Sequence, residues 1–294
     1  MSKITTNVKN IILFPLNLLY RISPSTTLKI LFRLKMKRKL NLKNPTTYNE
    51  KLQWTKLNYK NPLLAKLVDK YTVREYVAEK APELLNALLW QGFDANDIPW
   101  DSLPDRFVIK VTHGSGFNII CHNKGDLDKE NCVKTLNRWL KQKYLRCYGE
   151  WFYGIEKPRI IIEEFLDAGD GNVPEDYKIF CFDGKPEFVF VYTDRFDEKK
   201  CNVYDASWNF KKEVFSNYFK HDDPRPKPKK LEEMLDYARV LSEGFPHVRV
   251  DLYLVNDKIY FGELTFTHSA GFSKIQPFEF EEELGRLIKL ESWT

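Results

Sequence analysis

Two apolar, β-branched segments joined by a short turn carry carboxylates at positions where strands seldom have them. Residues 248–255 and 259–266 flank an Asn-Asp pair, a pattern that predicts a β-hairpin. Asp251 and Glu263 lie inside the two predicted strands, although strand interiors disfavour carboxylates. A shared divalent cation would explain them, because Mg²⁺ is held by one or two carboxylates together with substrate phosphates.

An arginine adds positive charge to the same region. Arg249 precedes Asp251 by two residues, and alternate residues of a strand face the same side of a sheet. An arginine beside two carboxylates on one sheet face indicates a surface suited to phosphate chemistry.

Composition indicates a globular protein with reduced thiols. At 294 residues, 34.9 kDa and 43% apolar content, the chain can form one large domain or two lobes with a substantial core. The five cysteines are scattered and form no C-x-x-C pair, which is typical of a cytosolic protein without structural zinc. No run of 18 apolar residues is present, so we expect no transmembrane helix.

The basic residues are distributed unevenly. Residues 1–49 contain ten Lys or Arg and no Asp or Glu, so the rest of the chain is net acidic despite the overall charge of +5. This pattern fits an anionic membrane surface or a polyanionic glycan, and equally a solvated helical face with no partner. Nucleic acid is not an expected partner, because no nucleic-acid-binding motif accompanies the charge.

The order of predicted elements indicates an α+β fold. Antiparallel hairpins alternate with helices, and no internal repeat is found. Residues 1–45 are predicted as short helices broken by Pro15, Pro24 and Pro45. A capping pattern at Thr47 predicts the next helix, and Pro62 is predicted to start a helix that continues to Val77.

Several further motifs are weak when taken singly. Lys110 closes a predicted strand before a His-Gly-Ser-Gly loop that could cradle phosphate, although a simple hairpin turn is the commoner explanation. Glu163 and Glu164 end another strand, where solvation is the usual role of such a pair. Asp176 and Lys178 would by default be a cross-strand ion pair, and Arg195 lies at a strand end.

Taken together, these pieces resemble the ATP-grasp superfamily, in which two α+β lobes clasp ATP. The series runs from Asp69-Lys70 through Lys110, Glu163 and Arg249 to Glu263 and Thr265. The local sequences NPTTYNEKLQW, DKYTVREYV, VTHGSGFNIIC, PRIIIEEFL and DYKIFCFDGKP are similar to the TupA-like ATP-grasp branch, which is tied to bacterial surface polysaccharide and teichuronopeptide synthesis.

The resemblance implies ATP and Mg²⁺ as cofactors and assigns a role to each matching residue. The residues implied for ATP binding are Lys70, Lys110, His113, Gly114, Ser115, Gly116, Glu163, Glu164, Phe165, Leu166, Asp176 and Lys178. Those implied for catalysis are Arg249, Lys178 and Arg195. Those implied for Mg²⁺ are Asp251, Glu263 and Thr265, the last replacing the asparagine common in the superfamily.

The resemblance also implies a domain plan. Residues 1–48 would form a basic helical N-terminal region, and residues 49–294 would form the ATP-grasp domain. Within that domain the small lobe would cover about 105–165 and the large lobe about 166–290.

The implied activity is that of an ATP-dependent carboxylate–amine ligase that works through an acyl phosphate. Its substrates would be a uronic-acid-containing sugar or glycan, or an acidic residue, together with an amine or amino acid. The implied location is the cytoplasm, with peripheral contact at the inner membrane face through residues 1–45 as a further option.

Two alternatives remain open at this point. One is a glycosyltransferase of the same pathway, although the one D-x-D sequence, at Asp126 and Asp128, is more typical of a helix N-terminus. The other is a glycan- or membrane-binding protein without catalysis, which would have no need of Lys110, Asp251 and Glu263.

Overall fold

Two antiparallel β-sheets with helices packed against them make up most of the chain. The computed structural model describes residues 6–114, 116–169, 174–193, 200–217, 219 and 221–293. The α-helices in these residues are α1 (Thr6–Ile22), α2 (Pro24–Met36), α3 (Tyr48–Asn58), α4 (Leu63–Leu67), α5 (Val73–Lys80), α6 (Lys129–Leu140), α7 (Leu231–Ser242) and α8 (Phe278–Leu287). The strands are β1 (Leu88–Gly92), β2 (Phe107–Val111), β3 (Asn118–Cys121), β4 (Ile160–Glu164), β5 (Asp176–Phe182), β6 (Lys185–Thr193), β7 (Lys200–Asp205), β8 (Phe215–Ser216), β9 (His247–Val255), β10 (Lys258–Thr265) and β11 (Ile275–Gln276).

The sheets confirm the expected α+β class. The four-stranded sheet has the order β1-β4-β2-β3, and the five-stranded sheet has the order β10-β9-β5-β6-β7. All neighbours in both sheets are antiparallel, and β8 and β11 form a separate two-stranded pair. Helix α6 packs on the four-stranded sheet, whereas α7 covers one face of the five-stranded sheet and α3 and α8 cover part of the other.

The predicted hairpin is formed by β9 and β10. Its two turn residues, Asn256 and Asp257, have φ angles of 50° and 58°, the left-handed conformation that a two-residue hairpin turn of this kind requires. A bulge at Gly262 shifts the register so that Glu263 lies opposite Asp251. A Cβ at Gly262 would lie 3.0 Å from the Asp251 carbonyl oxygen, which explains why glycine occupies the bulge.

Two helix predictions need correction. Helix α1 runs through Pro15 without a break, because Leu13 and Leu16 on either side of it pack into the hydrophobic cluster formed with α2. The predicted helix from Pro62 to Val77 is instead α4 and α5, separated by a turn. The Asp69 carboxylate accepts hydrogen bonds from the Tyr71 and Thr72 backbone N–H groups, in the turn just before α5, at 2.9 and 3.1 Å, and so stabilises the break.

The capping prediction for α3 is confirmed. The Thr47 hydroxyl accepts from the Glu50 backbone N–H, and the Glu50 side chain accepts from the Thr47 N–H in return. Helices α1 and α2 pack on each other and on the segment Arg146–Tyr148, with the Asn17 side chain accepting from the Cys147 N–H. No helix in the described part of the chain has the length and apolar content needed to cross a bilayer.

A buried lysine joins α3 to two distant loops. Lys56 is 1% exposed, and its Nζ donates to Gln53 Oε1 and to the carbonyls of Tyr148 and Ala270 at 2.7–2.9 Å. We expect Lys56→Met to lower the free energy of unfolding by about 2–4 kcal/mol, because three buried acceptors lose their donor. Urea denaturation measures this, with the exposed α4 substitution Lys66→Met as a control. Equal free energies of unfolding for Lys56→Met and Lys66→Met would contradict the stabilising role given to the Lys56 hydrogen bonds.

Candidate active site

Three adjacent strands of the five-stranded sheet align the charged residues of the site. Lys178 on β5 is paired with Asp251 on β9, which is paired in turn with Glu263 on β10. Paired residues in an antiparallel sheet point to the same face, so the three side chains form a row across it. Arg249 and Thr265 form the next row on the same face. The sequence-based prediction that Arg249 and Asp251 share a face is confirmed.

Arg249 is the centre of the hydrogen-bond network on this face. Its Nε and Nη2 bond both Asp251 oxygens at 2.6 and 2.7 Å, a bidentate pair. Nη2 also contacts Glu263 Oε1 at 2.8 Å and Thr265 Oγ1 at 3.0 Å. Nη1 donates to His268 Nδ1 at 2.7 Å, so His268 accepts through this nitrogen. One guanidinium therefore organises two carboxylates, a hydroxyl and an imidazole.

Lys178 is a second cation that pairs with carboxylates of this cluster. Its Nζ contacts Asp176 Oδ2 at 2.5 Å and also bonds the Asp251 carboxylate. Asp251 is therefore held between two cations, whereas the side chain of Glu263 is 43% exposed. The more accessible carboxylate of the pair is the one on β10.

The charges of this cluster act on one another. Burial raises the pKa of Glu263, but attraction from Arg249, Lys178 and Lys70 outweighs burial and lowers that pKa to about 2. Burial raises the pKa of Asp251 to about 6 against the opposing pull of Arg249 and Lys178. Burial alone would lower the pKa of Arg249, but its two carboxylate partners outweigh it and raise that pKa. Glu263 is thus fully ionised at neutral pH.

A cavity of about 470 Å³, here called the hairpin cavity, opens over this cluster. Its lining residues are Asp176, Lys178, Tyr192, Thr193, Asn217, Phe219, Arg249, Asp251, Tyr253, Glu263, His268 and Ser269. All are polar, charged or aromatic, and both signs of charge are present. A space of this size and lining can accept a polyanion together with a cation.

A second, narrower space lies between the two sheets. This cleft, of about 90 Å³, is lined by Asn86, Val108, Lys110, Asn118, Ile120, Glu163, Glu164, Phe165, Leu166, Pro174 and Tyr253. The Glu163 carboxylate bonds Lys110 Nζ at 2.6 Å and Arg74 Nη1 at 2.9 Å. The apolar cleft therefore has a charged end, where Lys110 lies.

The loop after β2, which contains Gly114 and Gly116, contacts Lys70, the other lysine predicted to bind phosphate. Lys70 Nζ donates to the Gly114 carbonyl at 2.9 Å, and burial lowers the pKa of Lys70. Gly114 and Gly116 have φ angles of 77° and 79°, which L-residues rarely adopt. His113 is not among the residues that line the hairpin cavity or the cleft, and its Nε2 bonds the Gln142 carbonyl at 2.8 Å.

The structure brings most of the residues predicted for the site around two spaces that share Tyr253 in their walls. Lys178, Asp176, Arg249, Asp251 and Glu263 line the hairpin cavity, as given above, and Lys110 with residues 163–166 lines the cleft. Ser115 and Arg195 lie outside the described residues. Sequence reasoning missed Arg74, although it lies only four residues after Lys70 in a segment noted for its family resemblance.

The oxygen donors fit a hard cation. Among the described residues, no group of three or more His, Cys, Asp and Glu side chains is arranged to hold a metal ion. Asp251, Glu263 and Thr265 supply carboxylate and hydroxyl oxygens only, and two carboxylates completed by phosphate oxygens are a typical Mg²⁺ environment. The residues present therefore fit magnesium bound together with a nucleotide better than a transition metal.

The family model described as "TupA-like ATPgrasp" matches residues 50–289, which is most of the chain. The chain belongs to the TupA-like ATP-grasp family. The resemblance seen in the motif series and the ATP-grasp fold class are thereby confirmed. No curated protein matches this TupA-like chain.

Solved structures of two ligases resemble part of this TupA-like protein. D-alanine–D-alanine ligase from Bacillus anthracis, in complex with ATP, is 15% identical and aligns with a TM-score of 0.43 over 69% of this chain and 57% of its own. L-amino acid ligase from Bacillus licheniformis is 13% identical, with a TM-score of 0.47 over 76% and 49%. The chain thus spans about half the length of these ligases, and the family assignment rests on the family match.

Proposed function

We propose that this protein is an ATP-dependent, ADP-forming carbon–nitrogen ligase that joins a carboxylate to an amine through an acyl phosphate. The observation that carries the proposal is the row Lys178, Asp251 and Glu263, organised by Arg249 beside a cavity large enough for a triphosphate. Membership of an ATP-grasp family supports ATP and Mg²⁺ as the cofactors. A binding protein would have no need of buried charges at this density.

We assign the nucleotide to the cleft and the hairpin cavity, which share Tyr253 in their walls. The apolar cleft would take the base, with backbone groups of residues 163–166 as its hydrogen-bond partners. Lys110 and Lys70 would contact the first phosphates, and Gly114 and Gly116 would close over the rest. Asp176 would lie near the ribose, and Asp251, Glu263 and Thr265 would hold Mg²⁺.

Each of the chain's own groups has a role in this scheme. Mg²⁺ supplies charge neutralisation at the transferring phosphate when bound. Arg249 and Lys178 stabilise the negative charge that develops on the transferred and leaving oxygens, which is usually the largest contribution in such reactions. His268 and Thr265 hold the guanidinium in place. Closure of the two lobes over the substrates would exclude water and so protect the acyl phosphate from hydrolysis.

The two sheets support a domain plan. We propose that the four-stranded sheet forms the small lobe and the five-stranded sheet the large lobe, with residues 1–48 as a separate N-terminal region. Strand β1 pairs with β4, so the small lobe also takes in residues before 105.

We further propose that the acid is a uronic acid, or an acidic residue, of a bacterial surface polysaccharide, on the basis of the family resemblance. A screen for ADP release tests this, using ATP, free and nucleotide-linked uronic acids, and a panel of amines and amino acids, with product mass determined. ADP release that requires both an acid and an amine supports the ligase. UDP release without ATP would instead favour a glycosyltransferase, although Asp128 of the D-x-D sequence caps α6.

The N-terminal helices are proposed to rest on an anionic membrane surface. Ile11, Ile12, Phe14, Leu18 and Ile22 of α1 are between 53% and 79% exposed, a concentration of apolar surface seldom left uncovered. Basic residues accompany them, since residues 1–49 carry ten Lys or Arg and no acid. Apolar side chains with positive charge around them match the chemistry of an anionic lipid surface.

Vesicle flotation tests the membrane proposal. The protein is expected to float with phosphatidylglycerol vesicles, and the triple substitution of Ile11, Phe14 and Leu18 by serine should weaken binding by about 10²-fold or more, because each apolar group buried in lipid contributes about 1.5–3 kcal/mol. Val240→Ser, at an exposed apolar position on α7, is the control and should bind as wild type. Flotation of the triple variant equal to that of Val240→Ser would remove this proposal.

A further inference from the structure

A further cavity borders the Arg249 cluster. It has a volume of about 300 Å³, and we call it the rear cavity. Arg249, Glu263, His268 and Ser269 line both this space and the hairpin cavity. Lys70, Gly114 and Thr265, proposed above to contact the phosphates or Mg²⁺, also line the rear cavity, so the phosphate-binding groups lie at the boundary between the two spaces. The two cavities therefore meet at the residues proposed to hold the reacting phosphate, and the rear cavity can deliver a second molecule to that point.

The wall of the rear cavity also carries a buried carboxylate. Glu150 is 5% exposed, and it lines the rear cavity with Tyr144 and Tyr153. Its two oxygens accept from the Tyr144 and Thr267 hydroxyls, and each carboxylate oxygen can accept a further hydrogen bond. No basic side chain forms an ion pair with Glu150 in the described part of the chain.

Glu150, Tyr153 and Glu263 line the same cavity, so Glu150 faces the space that Glu263 borders. Burial raises the pKa of Tyr153, and the charges of Glu150 and Glu263 raise it further. Burial also raises the pKa of Glu150, against the opposing attraction of Lys56. A carboxylate that is costly to keep charged is stabilised when a cation arrives.

The turn between the two cavities is held in an unusual conformation. Ser269, Ala270 and Gly271 have φ angles of 51°, 53° and 65°, a run of left-handed residues that costs free energy where the residue is not glycine. Lys56 and Gln53 bond the Ala270 and Gly271 carbonyls and fix this turn. Ser269 lines both cavities and Ala270 lines the rear one, so this fixed turn is part of their walls.

We propose that the rear cavity binds the amine substrate and that Glu150 receives its ammonium group. This inference rests on the ligase function proposed above and assigns the second substrate to a place in that site. The aromatic rings of Tyr144 and Tyr153, stacked 4.5 Å apart, add surface for the amine's carbon chain.

The assignment gives Glu150 a defined chemical step. The bound ammonium transfers one proton to Glu150, which frees the nitrogen lone pair to attack the acyl phosphate carbon. The new C–N bond forms as the C–O bond to phosphate breaks, and the departing phosphate takes the second proton. The products are an amide, phosphate and protonated Glu150, which returns its proton to solvent.

Hydroxylamine separates the amine site from the rest of the reaction. It is a small nucleophile that traps acyl phosphates as hydroxamates without needing a binding pocket. ADP and product are measured with a panel of uronic acids as the acid and with either L-amino acids or hydroxylamine as nucleophile. Glu150→Gln is expected to raise KM for the amino acid by at least about 10-fold, while KM for ATP and hydroxamate formation stay within about twofold of wild type.

Two further variants provide a charge control and a second test of the rear cavity. Glu156→Gln removes the same charge from the same segment but does not line the cavity, and should behave as wild type. Val68→Phe places a larger side chain against the rear cavity and should also raise KM for the amino acid while sparing hydroxamate formation, so the proposal can be tested even if Glu150→Gln fails to fold.

The possible outcomes separate a wrong assignment of the rear cavity from a wrong ligase function. An unchanged KM for the amino acid in both Glu150→Gln and Val68→Phe would overturn the rear-cavity assignment. Equal loss of amide and hydroxamate formation in folded Glu150→Gln would also overturn it, because the defect would not be specific to the amine. Wild-type protein that forms neither ADP nor hydroxamate with any acid would instead contradict the ligase function itself.

Discussion

Glu263→Gln is expected to lower ATP-dependent ADP release by about 10²–10³-fold while the protein stays folded. Glutamine keeps an oxygen that can accept from Arg249 and Thr265, but it removes the negative charge proposed to hold Mg²⁺. Because the side chain of Glu263 is partly exposed, the substitution leaves no deeply buried group without a partner. ADP release measured against Mg²⁺ concentration should show a higher Mg²⁺ requirement as well as a lower maximum rate.

The matched control is Glu187→Gln, a half-buried strand carboxylate on β6 away from the cavities. It should retain wild-type turnover. Thermal unfolding of both variants checks that the fold is intact. Wild-type turnover and Mg²⁺ dependence in Glu263→Gln would contradict the metal assignment.

Replacing Arg249 is expected to affect catalysis and stability together. Lysine can keep the charge but not the bidentate contact with Asp251 and the simultaneous bonds to Glu263 and His268. We expect Arg249→Lys to lower kcat by about 10²-fold. Arg249→Met should in addition lower the free energy of unfolding by about 3–5 kcal/mol, because Asp251 is left buried with a weakened partner set.

Arg38→Lys is the control for this pair. Arg38 also bonds a buried carboxylate, Glu281, but at α8 and outside the cavities. It should change stability without changing kcat. An Arg249→Lys variant with wild-type kcat would show that the guanidinium is structural and does not act on the substrate.

The elements that could be predicted are those whose signals are local. The β9–β10 hairpin follows from two alternating apolar runs around an Asn-Asp turn, and the Thr47 cap of α3 follows from a four-residue pattern. Strand β1 was not predicted, because its five residues alternate only weakly and are ordered by pairing with β4, about 70 residues later in the chain. Such a pairing is visible only in three dimensions.

The same distinction applies to the site. Arg249 and Asp251 could be placed together because they share one strand with period two, and Glu263 because the hairpin turn is short. Glu150 gave no signal, since it lies in an irregular segment and its place in the cavity wall depends on residues distant in the chain, such as Thr267. His268 follows β10 closely, and its bond to Arg249, which only the folded structure shows, gives it a supporting position beside the cluster.

A crystal structure with Mg²⁺ and a non-hydrolysable ATP analogue tests the central claim most directly. The account predicts the base in the cleft beside residues 163–166, the triphosphate in the hairpin cavity, and Mg²⁺ coordinated by Asp251 and Glu263. A nucleotide bound elsewhere, or both carboxylates still paired only with Arg249 and Lys178 while the nucleotide is bound, would contradict it.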